Sequence, residues 1–337
     1  MDAIVLVGGQ GTRLRPLTSS RHKSLVPVCN TPAIEYLFAW LRRSGFERAV
    51  LALGQSNEDL AERYPEGDHD GLRIVPVLER ERLESGGAIR HAVREAGIEG
   101  RFTVLNGDVF VDFDFADALN EHIEKRADLT LALTEIEDPS QFGVAVCDAQ
   151  SLVTGFVEKP PMGEAPSKLV NAGVWIFEPG LVAEIPPGAV RVEETLFPSL
   201  VGRRRRVLGY RFEGIWADIG THARYLALNR ALLAQGACEA ISAGTSIAPG
   251  ADVRDTSLGE GCVVESGATI SGSICWERVT IGSGAKVSGC ILADGVSVGD
   301  GVVLRGVVAG SAASIPEGAV VPPGAIIDAG ARYDGQR

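Results

Sequence analysis

Apolar residues follow two different rhythms along this chain. Up to about residue 235, short apolar runs of strand length alternate with stretches of helical period. The strand-length runs are Ala3–Val7, Ala49–Leu53, Leu72–Glu79 and Phe102–Leu105; the clearest helical stretches are Ala33–Arg43 and Gly87–Ala96. Buried runs separated by helices predict an α/β fold, a Rossmann-like mixed and mainly parallel sheet with helices on both faces. Ligands of such sheets meet the carboxyl ends of the strands.

From about Ile247 the period changes. Aliphatic residues recur six positions apart at Val264 and Ile270, at Ile281 and Val287, at Leu292, Val298 and Leu304, and at Ile315, Val321 and Ile327. Glycines at 250, 267, 284, 295, 301, 318, 324 and 330 keep a related phase. A plain Gly-rich loop region would not hold that phase, so the segment predicts a parallel β-helix with small residues at its corners. The expected division is a domain over 1–235, a linker rich in Ala, Gly and Ser over 236–245, and a β-helix over 246–330.

Composition narrows the function. A formal net charge of −12 argues against a nucleic-acid binder, which would show a basic face. No apolar run is long enough to span a membrane, and the N-terminal apolar run Ala3–Val7 is too short for a signal peptide. Cysteines 29, 147, 238, 262, 275 and 290 lack CxxC or metal-ligand spacing and are read as buried or incidental thiols of a reducing compartment. A cytoplasmic enzyme with no membrane or nucleic-acid partner is the expectation. The run Arg203–Arg206 is read as an exposed edge guarded by charge.

The chemistry begins where the first strand ends. Gly8-Gly9-Gln10-Gly11-Thr12-Arg13-Leu14 offers backbone N–H groups for close approach to a polyphosphate, and Arg13 a bidentate fork. A dinucleotide fingerprint would need Gly where Leu14 stands, and no P-loop Lys is present. A plain tight turn competes on the glycines alone.

With the residues that follow, the chain resembles the nucleotidyltransferases that activate sugar-1-phosphates. The shared blocks are Gly8 to Thr18, Lys23-Ser24-Leu25-Val26-Pro27-Val28, Leu105-Asn106-Gly107-Asp108, Gln141 to Val146, Phe156-Val157-Glu158-Lys159-Pro160, Asn171 to Phe177 and Trp216-Ala217-Asp218-Ile219-Gly220-Thr221. One departure is that His22 and Ser24 flank Lys23 where the family favours proline. The resemblance implies attack of a hexose-1-phosphate on the α-phosphorus of an NTP, giving an NDP-sugar and pyrophosphate. It implies catalytic roles for Arg13, Lys23, Asp108 and Asp218, the two aspartates holding Mg²⁺ as hard oxygen donors. It places Leu6, Gly8, Gly9, Gly11, Thr12, Arg13, Glu79, Gly87 and Gly107 on the nucleotide, and Gly143, Glu158, Lys159 and Asn171 on the sugar phosphate.

Base and sugar follow from finer features. A carboxylate at Glu79 only accepts, which suits guanine N1–H and N2–H₂. The rest of the resemblance, in the Asn171 strand, the Trp216–Thr221 block and the repeats, implies GTP and mannose-1-phosphate; a UTP- or dTTP-dependent enzyme and a silent nucleotide-sugar-binding homologue are the alternatives. The repeat region resembles the left-handed hexapeptide helix, with three hexads per turn and about four to five turns. It carries no His, so acyl transfer with a His base is not expected of it. It is expected to assemble a homo-oligomer or to regulate, and truncation near Gly244 is expected to leave nucleotidyl transfer measurable.

Overall fold

The computed structural model describes residues 1–55 and 57–335. By internal contacts they form two compact units, one of Met1–Gly9 with Ile34–Trp216, the other of Gln10–Ala33 with Ala217–Arg337.

The first unit is built on a ten-stranded sheet. Its strands are β1 (Asp2–Val7), β2 (Arg48–Leu53), β3 (Gly67–His69), β4 (Leu72–Leu78), β5 (Phe102–Asn106), β6 (Leu129–Glu135), β7 (Gly143–Cys147), β8 (Val153–Glu158), β9 (Leu169–Phe177) and β10 (Val207–Arg211). The order is β8-β7-β9-β5-β1-β2-β4-β3, with β6 pairing β9 and β10. The central run β5-β1-β2-β4 is parallel, whereas β9 meets β5, β6 and β7 antiparallel. The apolar runs read from the sequence supply that parallel centre. Ala3, Ile4 and Val5 of β1 are fully buried, as expected of a strand covered on both faces. The helices α1 (Ala33–Arg43), α2 (Glu58–Arg63), α3 (Glu84–Ala96), α4 (Phe115–Glu124) and α5 (Leu196–Gly202) precede α6 (His222–Ala234) of the second unit.

Register decides where the chemistry falls. Val7 pairs with Leu53, Leu53 with Leu78, and Leu6 with Asn106. The parallel strands therefore end together, which sets Gly8–Gly9, Gly54, Glu79 and Gly107–Asp108 along one sheet edge. On the α5 side, Phe197 packs edge-on against Trp175 and Phe156, with ring centroids 5.1 and 5.6 Å away. The edge strand β10 follows the Arg203–Arg206 run, whose guanidinium groups pair with Glu184 and Asp128 at 2.6 to 3.0 Å.

In the second unit, residues 246–327 form three stacks of parallel strands, with five, four and five members. In the last coil the spacing is 18, with Val308 pairing with Ile326; before it equivalent positions recur every 17 residues, as in the bonds from Ser273 to Thr256 and from Cys290 to Ser273. Three hexads would need one residue more. The inward side chains step by six, except on one side where the step is five, from Ile270 to Cys275, Val287 to Leu292 and Leu304 to Ala309. A left-handed glycine, Gly272, Gly289 or Gly306 (φ +53, +64 and +62), makes the tighter corner. That short side is why the hexad phase broke and resumed along the sequence.

Cysteines also differ from the reading above. Cys29 and Cys238 form a disulfide with Cα atoms 6.0 Å apart, while Cys147, Cys262, Cys275 and Cys290 are free. The pairing joins residues 209 positions apart, which spacing rules do not reach. Among the described residues no helix is long and apolar enough to cross a membrane.

Removing the Phe197 ring would leave a cavity between β8, β9 and α5. Phe197→Ala is expected to lower stability by about 3–5 kcal/mol, read as a shift of the urea midpoint. A shift well under half of that would mean the α5 side collapses to fill the space.

Candidate active site

At the carboxyl edge of the sheet, close backbone approach is built in before any ligand arrives. A Cβ on Gly54 would lie 3.2 Å from the Gly8 Cα, and the Asn57 amide donates to the Val7 carbonyl. The Gly107 N–H donates to the Leu6 carbonyl at 2.9 Å, carrying the chain out of β5 to a half-buried Asp108. Gly8 and Gly9 themselves are exposed, with open space around both.

Glu79 is buried just past β4, its N–H bonded to the Leu53 carbonyl at 2.8 Å. One carboxylate oxygen, Oε2, accepts from the Leu83 N–H at 3.2 Å. Burial raises its pKa, opposed by the Leu83 bond and by His91. The next loop turns at Glu84 with φ +56 and enters α3 through Gly86 and Gly87. Both glycines press on the chain at 185–190. A Cβ on Gly87 would lie 2.6 Å from the Gly188 carbonyl oxygen, so close packing already demands a glycine there.

The sugar-phosphate candidates gather around β7, β8 and β9. Gly143 of β7 pairs with Glu158 of β8. A Cβ on Gly143 would come within 2.5 Å of the Phe156 ring and 2.7 Å of Glu158 Oε2. The Phe142 carbonyl accepts from the Lys159 N–H at 3.0 Å, and Lys159 has φ +46. Its ammonium stands 2.6 Å from Glu158 Oε1. Asn171 lies at an irregularity in the β9–β6 pairing. Its Oδ1 accepts from the Trp175 indole N–H at 2.7 Å and the Gly173 N–H at 3.1 Å. An indole nitrogen only donates, so Asn171 is left with its amide N–H groups for a ligand. Trp216 donates its indole N–H to the Ala172 carbonyl at 2.9 Å and meets Phe142 edge-on.

Sequence reasoning missed Glu193. Its carboxylate accepts from the Ser85 hydroxyl at 2.6 Å, and Ser85 Oγ in turn accepts from the Val192 N–H. Burial pushes the Glu193 carboxyl up; Glu158 adds to this and Lys159 opposes it. Its partner Ser85 lies 108 positions away, a distance no local pattern spans.

The second unit holds the remaining candidates. Gly11, with φ +60, opens a short 3₁₀ turn over Thr12–Leu14. A Cβ there would lie 3.1 Å from the Lys23 Cβ and from the Thr18 methyl, and Thr18 donates to the Gly11 carbonyl at 2.8 Å. Thr12 and Arg13 are exposed, while Lys23 is buried, with 8% of its surface exposed. His22 takes over the turn that proline would have set, its Nδ1 accepting from the Ser24 N–H at 3.2 Å. Asp218 Oδ1 binds the Arg224 guanidinium at 2.8 Å and the Gly220 N–H at 3.1 Å. That leaves Oδ2 as the oxygen a cation would take. Among the described residues no three His, Cys, Asp or Glu side chains gather into a preformed metal cage. Carboxylates acting singly suit Mg²⁺, which draws most of its shell from phosphate and water.

Comparison with known proteins identifies the families of the two parts of the chain. Residues 2–235 match the nucleotidyl transferase family and residues 237–333 the GlmU-like C-terminal hexapeptide family. The second match bears out the left-handed hexapeptide β-helix. The chain is 33% identical to a mannose-1-phosphate guanylyltransferase of Mycobacterium tuberculosis, over 74% of this chain and 72% of that protein. It is 34% identical to mannose-1-phosphate guanyltransferase beta-B of Xenopus laevis, over 67% of this chain but only 63% of that protein. The fold is shared with HddC from Yersinia pseudotuberculosis in complex with GMP-PN. There the TM-score is 0.59 and the identity 22%, over 68% of this chain and 99% of that one.

Gly143→Ala is expected to lower stability by about 1–3 kcal/mol through overpacking and to displace Glu158 from Lys159. Thermal unfolding of the variant checks the first effect. Wild-type melting would mean Phe156 and Glu158 give way freely.

Proposed function

Because the chain belongs to the nucleotidyl transferase family, we propose that it joins mannose-1-phosphate to the GMP portion of GTP, forming GDP-mannose and pyrophosphate. Similarity to mannose-1-phosphate guanylyltransferases supports base and sugar together. The observation that carries the guanine reading is Glu79. It is a carboxylate pinned at a strand end by one oxygen, with the other left to accept from a base edge.

A phosphate oxygen of the sugar-1-phosphate forms a bond to the α-phosphorus, and the bond from that phosphorus to the departing pyrophosphate breaks. The attacking oxygen is already anionic, so no general base is needed. The difficulty is bringing two polyanions together and holding them in line. Arg13 and Lys23 are the cations for the triphosphate, and Lys159 neutralises the sugar phosphate. Glu158 accepts from hexose hydroxyls, and Asn171 donates to them, since its oxygen is taken by Trp175 and Gly173. Asp108 and Asp218 are the proposed Mg²⁺ ligands; the ion would offset charge on the phosphate oxygens.

A grid of five NTPs against several sugar-1-phosphates, read as pyrophosphate release, tests this reading. The expected maximum is GTP with mannose-1-phosphate; a maximum with UTP or dTTP would overturn the assignment of Glu79. Asp108→Asn and Asp218→Asn should each lower kcat by about 10²–10³ with folding intact. Lys159→Ala should raise KM for the sugar phosphate more than for the NTP, and an equal rise for both would make Lys159 structural.

Acidity gives a separate signature for Glu79. Its raised pKa means that it takes up a proton earlier than an ordinary glutamate as pH falls. The protonated form loses acceptor capacity, so KM for GTP should climb on the acid side. Glu79→Gln should flatten that climb and erode any preference for GTP over UTP.

A further inference from the structure

Lys23 sits in a segment with almost no regular structure of its own. Between Gln10 and Ala33 the chain has two short 3₁₀ turns, Thr12–Leu14 and Lys23–Leu25, and one two-residue strand pair. Fixing such a backbone costs about 1–2 kcal/mol per residue, so a lysine that must meet a phosphate to within an ångström needs support from elsewhere. Within the second unit that support comes from one edge of the β-helix, and it brackets Lys23 on both sides.

On the N-terminal side, the Arg21 guanidinium binds Asp294 at 2.9 Å and lies 5.0 Å from the centre of the Trp276 ring. Ser20 meets Ser311 through their hydroxyls at 3.2 Å. A Cβ on Gly310 would come within 2.8 Å of Pro16. On the C-terminal side, the Trp276 indole N–H donates to the Tyr225 hydroxyl at 2.9 Å, and that hydroxyl donates to the Pro27 carbonyl. Trp276 and Tyr225 are fully buried. Glu277, Asp294 and Ser311 occupy the same corner in successive coils. The Glu277 N–H donates to Asp294 Oδ1, and the Ala312 N–H to the Asp294 carbonyl. Further along, the Asn30 amide donates to the Leu258 carbonyl at 3.1 Å and the Cys29 N–H to Asn229 Oδ1 at 2.7 Å.

We propose that the β-helix corner carrying Trp276 and Asp294 is the positioning element for the Lys23 segment, so that the repeat domain sets how well the nucleotide is held. Arg21, Trp276 and Asp294 are positioning residues; they act through Lys23. Their kinetic role rests on reading Lys23 as a ligand of the triphosphate. Truncation near Gly244 removes Trp276, Asp294 and Ser311 together, so any transfer that survives that cut should be weakened.

The test compares wild type with Asp294→Asn, which keeps the shape and drops the charge, and Trp276→Phe, which keeps a ring and drops the N–H donor. Asp300→Asn is the control, since Asp300 accepts from the Ser283 N–H within the β-helix at 2.8 Å. Misplacement near an ångström costs about 10²-fold. Asp294→Asn and Trp276→Phe should therefore lower kcat/KM for the NTP by about 10–10²-fold. KM for the sugar phosphate should stay within about twofold, and Asp300→Asn should do neither. Backbone hydrogen exchange over 20–28 should quicken in both variants while exchange over 297–309 stays as in wild type. Wild-type kinetics and exchange in both variants would overturn the proposal. So would an equal loss for both substrates that Asp300→Asn reproduces. If wild type joins no sugar phosphate to any NTP, the functional reading fails, and the exchange comparison alone still decides this one.

Discussion

The parallel pairing of β1 with strands on both sides is the constraint from which the rest of the first unit follows. A strand hydrogen-bonded along both edges and buried on both faces has no freedom to slip, because a shift of one residue would turn Ile4 and its neighbours to the opposite face. With β1 held, the ends of β2, β4 and β5 are held too. The residues just beyond them have no choice but to share one edge: Gly8 and Gly9, Gly54, Glu79, Gly107 and Asp108. None of these residues needs a special fold of its own. The sheet delivers them, and the turns after each strand only aim them.

Along that edge and beside it the polar side chains are already half committed. Glu79 gives one oxygen to Leu83, Asn171 gives its oxygen to Trp175 and Gly173, Glu158 holds Lys159, and Glu193 holds Ser85. Each of these internal bonds fixes a rotamer, so less side-chain entropy remains to be lost when a ligand arrives. Each also narrows what the free atoms can recognise. Asn171 can donate but not accept, and that is a tighter statement about a bound sugar than the residue type alone permits.

Much of this was legible along the chain. The apolar runs marked the parallel strands because the near-complete burial of β1, β2 and β5 leaves little polar alternation to confuse the pattern. The β-helix declared itself through its period, although the five-residue side at Gly272, Gly289 and Gly306 was hidden among six-residue steps. Family blocks named the candidate ligands by type and order. What stayed hidden were pairings between distant residues: Arg21 with Asp294, separated by 273 positions, Cys29 with Cys238, and Ser85 with Glu193. No local period or spacing encodes such pairs, and Arg21 beside Lys23 reads as one more surface cation until the coil it meets is in view.

The 17-residue coil has a consequence for how this chain tolerates insertion and deletion. Losing one residue between Leu258 and Trp276 would turn every later corner of the β-helix away from its place, and Asp294 with it. Losing a complete coil would preserve every corner, so the repeats would still stack. Yet each side chain beyond the gap would be drawn back by one strand spacing, about 4.8 Å, and Arg21 would find Ser311 where Asp294 had been. The β-helix is thus a ruler as well as a scaffold, and only the coils beyond Ser311 are free to vary in number without changing what Arg21 meets.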